Sequence, residues 1–133
     1  VISVSVFSFF ITFILQKNGL STKTTLVLEK MVTVIVYFKL PDGITREDII
    51  FKFEQTTQKW QDNQDLISKN YLIDLDRGIA GGVYLWKEKI HAEIWLGAEF
   101  RKMVKDNYGE VPTLQFFETP IALDNITGNI TKG

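Results

Sequence analysis

The sequence predicts an α+β domain whose elements follow the order β-α-β-β-α-β. Four short runs are rich in β-branched and aromatic residues, as strands are. Two longer segments repeat apolar residues at helical spacing, and turn residues separate the elements. The 133 residues, 45% of them hydrophobic, suit one domain with its own core. This order is typical of the ferredoxin-like arrangement, an antiparallel four-stranded sheet with both helices on one face.

The first half of the predicted domain is a strand followed by a helix. "MVTVIVYFK", Met31–Lys39, alternates as a strand does, and "LPDGIT" is a turn. Thr45 is predicted to cap the next helix together with Asp48, three residues later. That helix is expected to cover Arg46–Gln61.

The second half begins with two strands, Leu66–Leu75 and "AGGVYLW", which are expected to pair as a hairpin. Gly81 and Gly82 are unusual inside a strand, because glycine weakens one unless a bulge or a close backbone approach requires it. The alternative is that both belong to the hairpin loop.

A second helical segment follows, with Gly97 as a break and Gly109 as its C-cap. "TLQFFET", Thr113–Thr119, is the predicted fourth strand.

The chain divides near Met31. Residues 1–15 carry no charge, but the run is shorter than the about 20 residues of a membrane span, and it lacks the basic start of a signal peptide. We interpret residues 1–30 as a leader and linker, translated from upstream of a start at Met31; the alternative is a truncated membrane anchor. The domain is assigned to residues 31–125 and a C-terminal tail to 126–133.

Composition excludes several classes of function. The net charge of −1 gives no electrostatic basis for binding nucleic acid. Cysteine is absent and histidine occurs once, which removes disulfides, thiol nucleophiles and thiolate-held metals.

Three segments carry a resemblance to a known family: "DLISKNYLID", "GIAGGVYLW" and "EFRKMVKDNYG" with the later "FFETPIALDN". In their order and spacing they resemble the YdhR-like monooxygenases of the dimeric α+β barrel superfamily, to which the antibiotic-biosynthesis monooxygenases also belong. The resemblance covers about Met31 to Asn125. It implies a homodimer in which two sheets form a barrel, with a pocket between the sheet and helices of each subunit. A cytoplasmic protein is expected, with no membrane partner unless residues 1–30 are a real anchor.

The resemblance also implies a reaction. The related monooxygenases oxidise small aromatic substrates with O2 and need no cofactor, neither metal nor flavin. A deprotonated phenol is electron-rich enough to pass an electron to oxygen, so the protein supplies a pocket, a base and charge stabilisation.

Lys69 and Tyr71 are the candidate catalytic residues. Lys69 interrupts an otherwise apolar strand and falls on a lysine of the family pattern. Strand alternation puts Lys69, Tyr71 and Ile73 on one face, where the lysine would stabilise a phenolate. The alternatives for Lys69 are a solvated edge residue or a salt bridge across the dimer.

Six further residues are candidates for substrate binding. Four are aromatic side chains suited to wall a pocket, although core or dimer-interface packing is the alternative, and the favoured one for any single residue: Trp60, Tyr84, Trp86 and Trp95. His91 is the one side chain whose ordinary pKa lies near neutrality, and a surface position is its alternative. Arg101 would pair with an acidic substrate, or else with Glu93 or a partner subunit.

Two other functions remain open. A non-catalytic dimeric binder of small ligands fits the same fold, because fold does not fix function. A haem-binding protein would need His91 as its axial ligand.

Overall fold

In the computed structural model, residues 30–133 are described, and they contain six strands and three helices. The strands are β1 Val32–Lys39, β2 Leu66–Asp74, β3 Ile79–Trp86, β4 Thr113–Glu118, β5 Ile121–Asp124 and β6 Asn129–Lys132. The helices are α1 Arg46–Gln61, α2 Lys89–Trp95 and α3 Ala98–Tyr108. The interpretation of residues 1–30 lies outside the described residues.

The first four strands form one antiparallel sheet in the order β2-β3-β1-β4. The core joins one face of β1, including Val34, to α1 through Ile49, to α2 through Ala92 and to α3 through Val104. The helices therefore pack on the same side of the sheet. The predicted ferredoxin-like α+β fold is confirmed.

Helix α1 begins where the sequence predicts. The Asp48 backbone amide donates to Thr45 Oγ1, and the Thr45 amide donates to Asp48 Oδ2, both at 3.1 Å. This reciprocal capping box satisfies two amides that the first turn leaves without helical partners.

The second helical segment is broken as the sequence predicts. Gly97 separates α2 from α3, and Gly109 ends α3 in the left-handed region at φ 98°. Glycine adopts this conformation without the penalty that a Cβ brings.

Gly81 and Gly82 lie inside β3, not in the loop that joins it to β2, which is formed by residues 75–78. A Cβ on Gly81 would overlap the carbonyl oxygen of Val36 in the neighbouring strand. The glycine therefore permits a close approach of two backbones, and the hairpin-loop alternative is wrong. The pairing of β3 with β1 runs through both glycines without interruption.

The bulge of this sheet lies in β2. Leu66 pairs with Trp86 and Ser68 with Leu85, so Ile67 is an extra residue opposite β3. Leu66 packs against the core while Ile67 is exposed.

Strands β5 and β6 form a separate hairpin, which takes in residues 126–133 that the sequence predicts as a C-terminal tail. Asp124 Oδ1 accepts a hydrogen bond from the Ile126 amide at 2.9 Å, and Gly128 has a φ of 77°. These two features close the turn between the strands.

The sheet face opposite the helices has an apolar, half-buried centre on β1 and β3, with polar residues such as Asn70 and Gln115 on the edge strands. It carries Ile35, Tyr37, Val83 and Leu85, and the exposed Phe117 lies at its edge strand. Separately, no helix within residues 30–133 has the length and apolar character needed to cross a bilayer.

Candidate ligand cavity

A cavity of about 540 Å³ lies between the sheet and helices α1 and α3. Its wall is largely aromatic and apolar, formed in part by Phe53, Trp60, Tyr71, Tyr84, Phe100, Met103 and Tyr108. The polar residues around it are Asp48, Lys52, Gln55, Thr56, Lys69 and Asn107. A concave apolar site with a few polar groups is the usual form of a small-molecule site.

Lys69 reaches this cavity from β2. Its Nζ lies 3.8 Å from the ring centroid of Tyr71, 4.4 Å from that of Tyr84 and 4.7 Å from that of Trp60. The rings attract a cation weakly, whereas water would hydrate it strongly. Burial, helped by the charge of Lys59, lowers the pKa of Lys69 to about 7.

Within residues 30–133, no carboxylate forms an ion pair with Lys69. The side chain is partly buried among the rings, so it is not the solvated edge lysine that the sequence left open. A salt bridge across a dimer stays a prediction, because one chain cannot test it.

Tyr71 is held by a chain of two hydrogen bonds. Thr56 Oγ1 lies 2.8 Å from the carbonyl oxygen of Phe53 and 2.7 Å from the Tyr71 hydroxyl oxygen. Only the threonine hydroxyl can donate to the carbonyl, so its single proton is used there, and the tyrosine must donate to Oγ1. The Tyr71 oxygen keeps free lone pairs and is an acceptor toward the cavity. Burial raises the pKa of this hydroxyl, which keeps it protonated at neutral pH.

Trp60 and Tyr84 form the inner wall of the cavity. Their rings meet edge to face with centroids 5.3 Å apart, and both side chains are buried. Burial raises the pKa of Tyr84 well above its usual value. Both residues therefore pack in the core and also line the cavity, two roles that the sequence left as alternatives.

Trp86 belongs to the core and does not line the cavity, contrary to its selection as a substrate-binding residue. Its ring stacks on Tyr84 at 6.1 Å between centroids and is 0% exposed. Within the described part of the chain its Nε1 has no hydrogen-bond partner.

His91 and Trp95 lie together on α2, away from the cavity. Trp95 Nε1 donates to Asp65 Oδ2 at 3.0 Å, and His91 Nε2 lies 3.6 Å from Asp65 Oδ1. The prediction that both residues line the pocket is wrong. Helix α2 is oriented so that their side chains contact Asp65 instead of the cavity. A haem in the cavity would lack His91 as its axial ligand.

Arg101 is also outside the cavity, on the exposed side of α3. Its Nε donates to the carbonyl of Leu96 at 3.5 Å, and Glu93 pairs with Lys89 at 3.6 Å. At this position Arg101 does not contact a substrate in the cavity, and among residues 30–133 it forms no ion pair with Glu93.

Several lining residues were missed in the sequence. Phe53 and Thr56 precede Trp60 by seven and four positions on α1, and Phe100 precedes Tyr108 by eight on α3. These spacings place each set on one helical face, which is the signal that would have found them. Among residues 30–133, no cluster of three His, Cys, Asp or Glu side chains has the arrangement of a metal site.

Comparisons with known proteins support the fold. One solved structure is a monooxygenase from the gene ActVA-Orf6 of Streptomyces coelicolor in complex with the ligand nanaomycin D. It aligns with a TM-score of 0.54 at 17% identity, covering 72% of this chain and 92% of that one. At this identity the likeness shows a shared fold. No protein-family model matches the sequence, and no curated protein matches it.

Proposed function

We propose that this protein is a cofactor-independent monooxygenase that oxidises a small phenolic substrate with O2 in the cavity beneath the sheet. The observation that carries the proposal is the amine of Lys69, which faces three aromatic rings in a cavity of about 540 Å³. The fold shared with a monooxygenase supports it. So does the resemblance of three segments to the YdhR-like monooxygenases.

Lys69 is the base in this proposal. With a pKa of about 7, roughly half of the amine is neutral at neutral pH and able to take a phenolic proton. The product is an ammonium beside a phenolate, and the partly dry site strengthens their attraction. Lys69 therefore both removes the proton and stabilises the resulting charge.

Tyr71, Tyr84 and Trp60 position the substrate. Their rings offer faces and edges for an aromatic body, and the Tyr71 oxygen accepts a hydrogen bond from a second substrate hydroxyl. The phenolate passes an electron to O2. A ring carbon ortho or para to the phenolate oxygen, which bears one hydrogen, then takes one oxygen atom and becomes a carbonyl. Its hydrogen and the phenolic proton held by Lys69 leave with the second oxygen atom as water, and the product is a quinone.

A homodimer is part of the proposal. The half-buried sheet face with Ile35, Tyr37, Val83 and Leu85 is suited to cover the same face of a second chain. We also expect the protein to be cytoplasmic.

The test is oxygen uptake with hydroquinones or anthrols as substrates. Lys69→Met keeps most of the side chain's bulk and removes the amine, so turnover should fall about tenfold for each ~1.4 kcal/mol of lost transition-state stabilisation. Lys105→Met, which removes an exposed lysine of α3, is the matched control and should keep full turnover.

Dimer dissociation is measured on the same samples. If Lys69→Met keeps its turnover per dimer and only dissociates more readily, the lysine is an interface residue and the catalytic assignment is wrong. Tight binding of phenols with no oxygen uptake would instead identify a non-catalytic ligand-binding protein.

A further inference from the structure

The amine of Lys69 combines three properties that rarely occur together in a lysine. It is partly buried, it has no carboxylate partner within the described residues 30–133, and it lies in a cavity large enough for an aromatic molecule. A lysine in this setting loses the hydration and the counter-charge that normally hold its proton. The amine is then available as a nucleophile as well as a base.

We infer that Lys69 forms a Schiff base with the aldehyde or ketone group of an aromatic molecule bound in the cavity. This activity needs neither O2 nor an oxidisable substrate, so it extends beyond the proposed oxygenation and does not depend on it. It assigns the cavity a second class of ligand, aromatic carbonyl compounds held covalently and reversibly.

The reaction balances without any further reagent. The lone pair on Lys69 Nζ attacks the carbonyl carbon and forms a C–N bond, giving a carbinolamine. The carbonyl oxygen then leaves as water, taking with it the two hydrogens of the amine, and a C=N bond replaces the C=O bond. Hydrolysis returns the free amine and the carbonyl compound.

The surroundings of Nζ favour an aromatic carbonyl compound over an aliphatic one. Tyr71, Tyr84 and Trp60 all lie within 4.7 Å of Nζ by their ring centroids, so a carbonyl carbon bonded to Nζ is next to three rings. A flat aromatic body attached to that carbon has ring faces and edges to pack against. The protonated imine is a cation, and the same rings stabilise it as they stabilise the ammonium.

Gly82 contributes space on the sheet side. A Cβ at this position would lie 3.3 Å from Lys69 Cε and 3.2 Å from Tyr84 Cε1. With hydrogen there instead, the lysine stem crosses β3 without displacement and its Nζ stays among the rings.

The free amine is also abundant at neutral pH. With a pKa of about 7, Lys69 has on the order of a thousand times more neutral amine at pH 7 than an exposed lysine. Condensation should therefore select Lys69 over the other lysines, which are protonated under the same conditions.

The experiment uses 2-naphthaldehyde, with sodium cyanoborohydride to reduce the imine to a stable amine, under argon at pH 7. Intact mass and peptide mapping of the wild-type chain should show one naphthylmethyl group per chain, on Lys69, formed at least roughly tenfold faster than adducts on Lys105. Propanal, which has no ring to pack against the cavity wall, should also react first at Lys69 because that amine is neutral, but more slowly there than 2-naphthaldehyde does.

Three variants and a pH series complete the test. Lys69→Met and Lys69→Arg should both lose the fast adduct, while Lys105→Met keeps it; the arginine variant retains a cation at the site. The initial rate for wild type should be half-maximal near pH 7. Adducts spread over exposed lysines, or a fast adduct that survives in both Lys69 variants, would overturn the inference whether or not the protein oxygenates phenols.

Discussion

The Nζ of Lys69 lies 3.8 Å from the centroid of the Tyr71 ring, two residues further along the same strand. Strand alternation brings the two side chains to one face, and the ring takes the place that a counter-ion usually fills. Burial among the rings, with the charge of Lys59 as a second cause, lowers the pKa of Lys69 to about 7, because a ring attracts a cation less strongly than water hydrates it. The amine of Lys69 is therefore partly neutral at neutral pH and lies beside an aromatic ring in the cavity.

The depressed pKa of Lys69 predicts a specific dependence of stability on pH. The unfolded chain binds a proton at this lysine up to a pKa near 10.4, whereas the folded chain releases it near 7. Between these values the unfolded state holds more protons, so the free energy of unfolding rises with pH. From pH 7 to pH 9 this lysine should contribute a rise of roughly 2 kcal/mol.

Urea denaturation of wild type and Lys69→Met at both pH values isolates this contribution, because other groups cancel in the comparison. The variant should lack the rise. An equal pH dependence in the two proteins would mean that Lys69 keeps an ordinary pKa.

Thr56→Val should destabilise the protein by about 1 kcal/mol, because it removes the oxygen that accepts the Tyr71 hydroxyl and the hydroxyl that donates to Phe53. Thr56→Ser keeps both bonds and is the control. A double-mutant cycle with Tyr71→Phe, followed by urea denaturation, measures the coupling. Strictly additive effects would show that the bond between the two hydroxyls contributes nothing.

Gly81→Ala and Gly82→Ala should differ strongly. The new methyl group at Gly81 meets the backbone oxygen of Val36, which cannot move without distorting β1, so a loss of several kcal/mol is expected. The methyl group at Gly82 meets Lys69 and Tyr84 side-chain atoms at 3.2–3.3 Å and the Asn70 carbonyl at 3.1 Å, which require shifts of a few tenths of an ångström. Thermal unfolding ranks the two variants; equal stability would contradict the close approach at Gly81.

The apolar sheet face predicts a homodimer at micromolar concentration, with twice the monomer mass in light scattering. An interface of this obligate type often exceeds ~2,000 Å². Val83→Lys puts a charge in the middle of the half-buried face and should shift the equilibrium toward monomer, whereas Lys105→Met should not. A wild-type protein that scatters as a monomer at this concentration would rule out the dimer.

The sequence predicted the fold well where local signals and burial agree. Helix α1 has the predicted bounds, because its capping box and its apolar spacing both define it. The hairpin of β5 and β6 was missed although some of its signals are visible: "IALD" is mostly apolar, "NITK" contains two β-branched residues, and Gly128 marks a turn between them. Its strands are short and mostly exposed, so their composition resembles that of a polar tail.

The candidate site was predictable in part, since Lys69, Tyr84 and Trp60 line the cavity as expected and Trp86 does not. Alternation fixes the face of Lys69 and Tyr71 once β2 is recognised. The positions of His91, Trp95 and Arg101 depend on how α2 and α3 turn relative to the sheet, which is decided by packing across the core. The lowered pKa of Lys69 was also outside reach, since it depends on Trp60 and Tyr84 arriving from other elements.

Because of the bulge at Ile67, strand β2 tolerates the loss of a residue at some positions and not at others. Because Ile67 is the extra residue opposite β3, a chain lacking it would pair Leu66 and Ser68 with the same partners, Trp86 and Leu85, in an unbroken ladder. Loss of Asn70 would instead bring Lys69 and Tyr71 next to each other in the chain and send them to opposite faces. Natural length variation in this strand should therefore occur before Lys69, and the spacing from Lys69 to Tyr71 should stay at two.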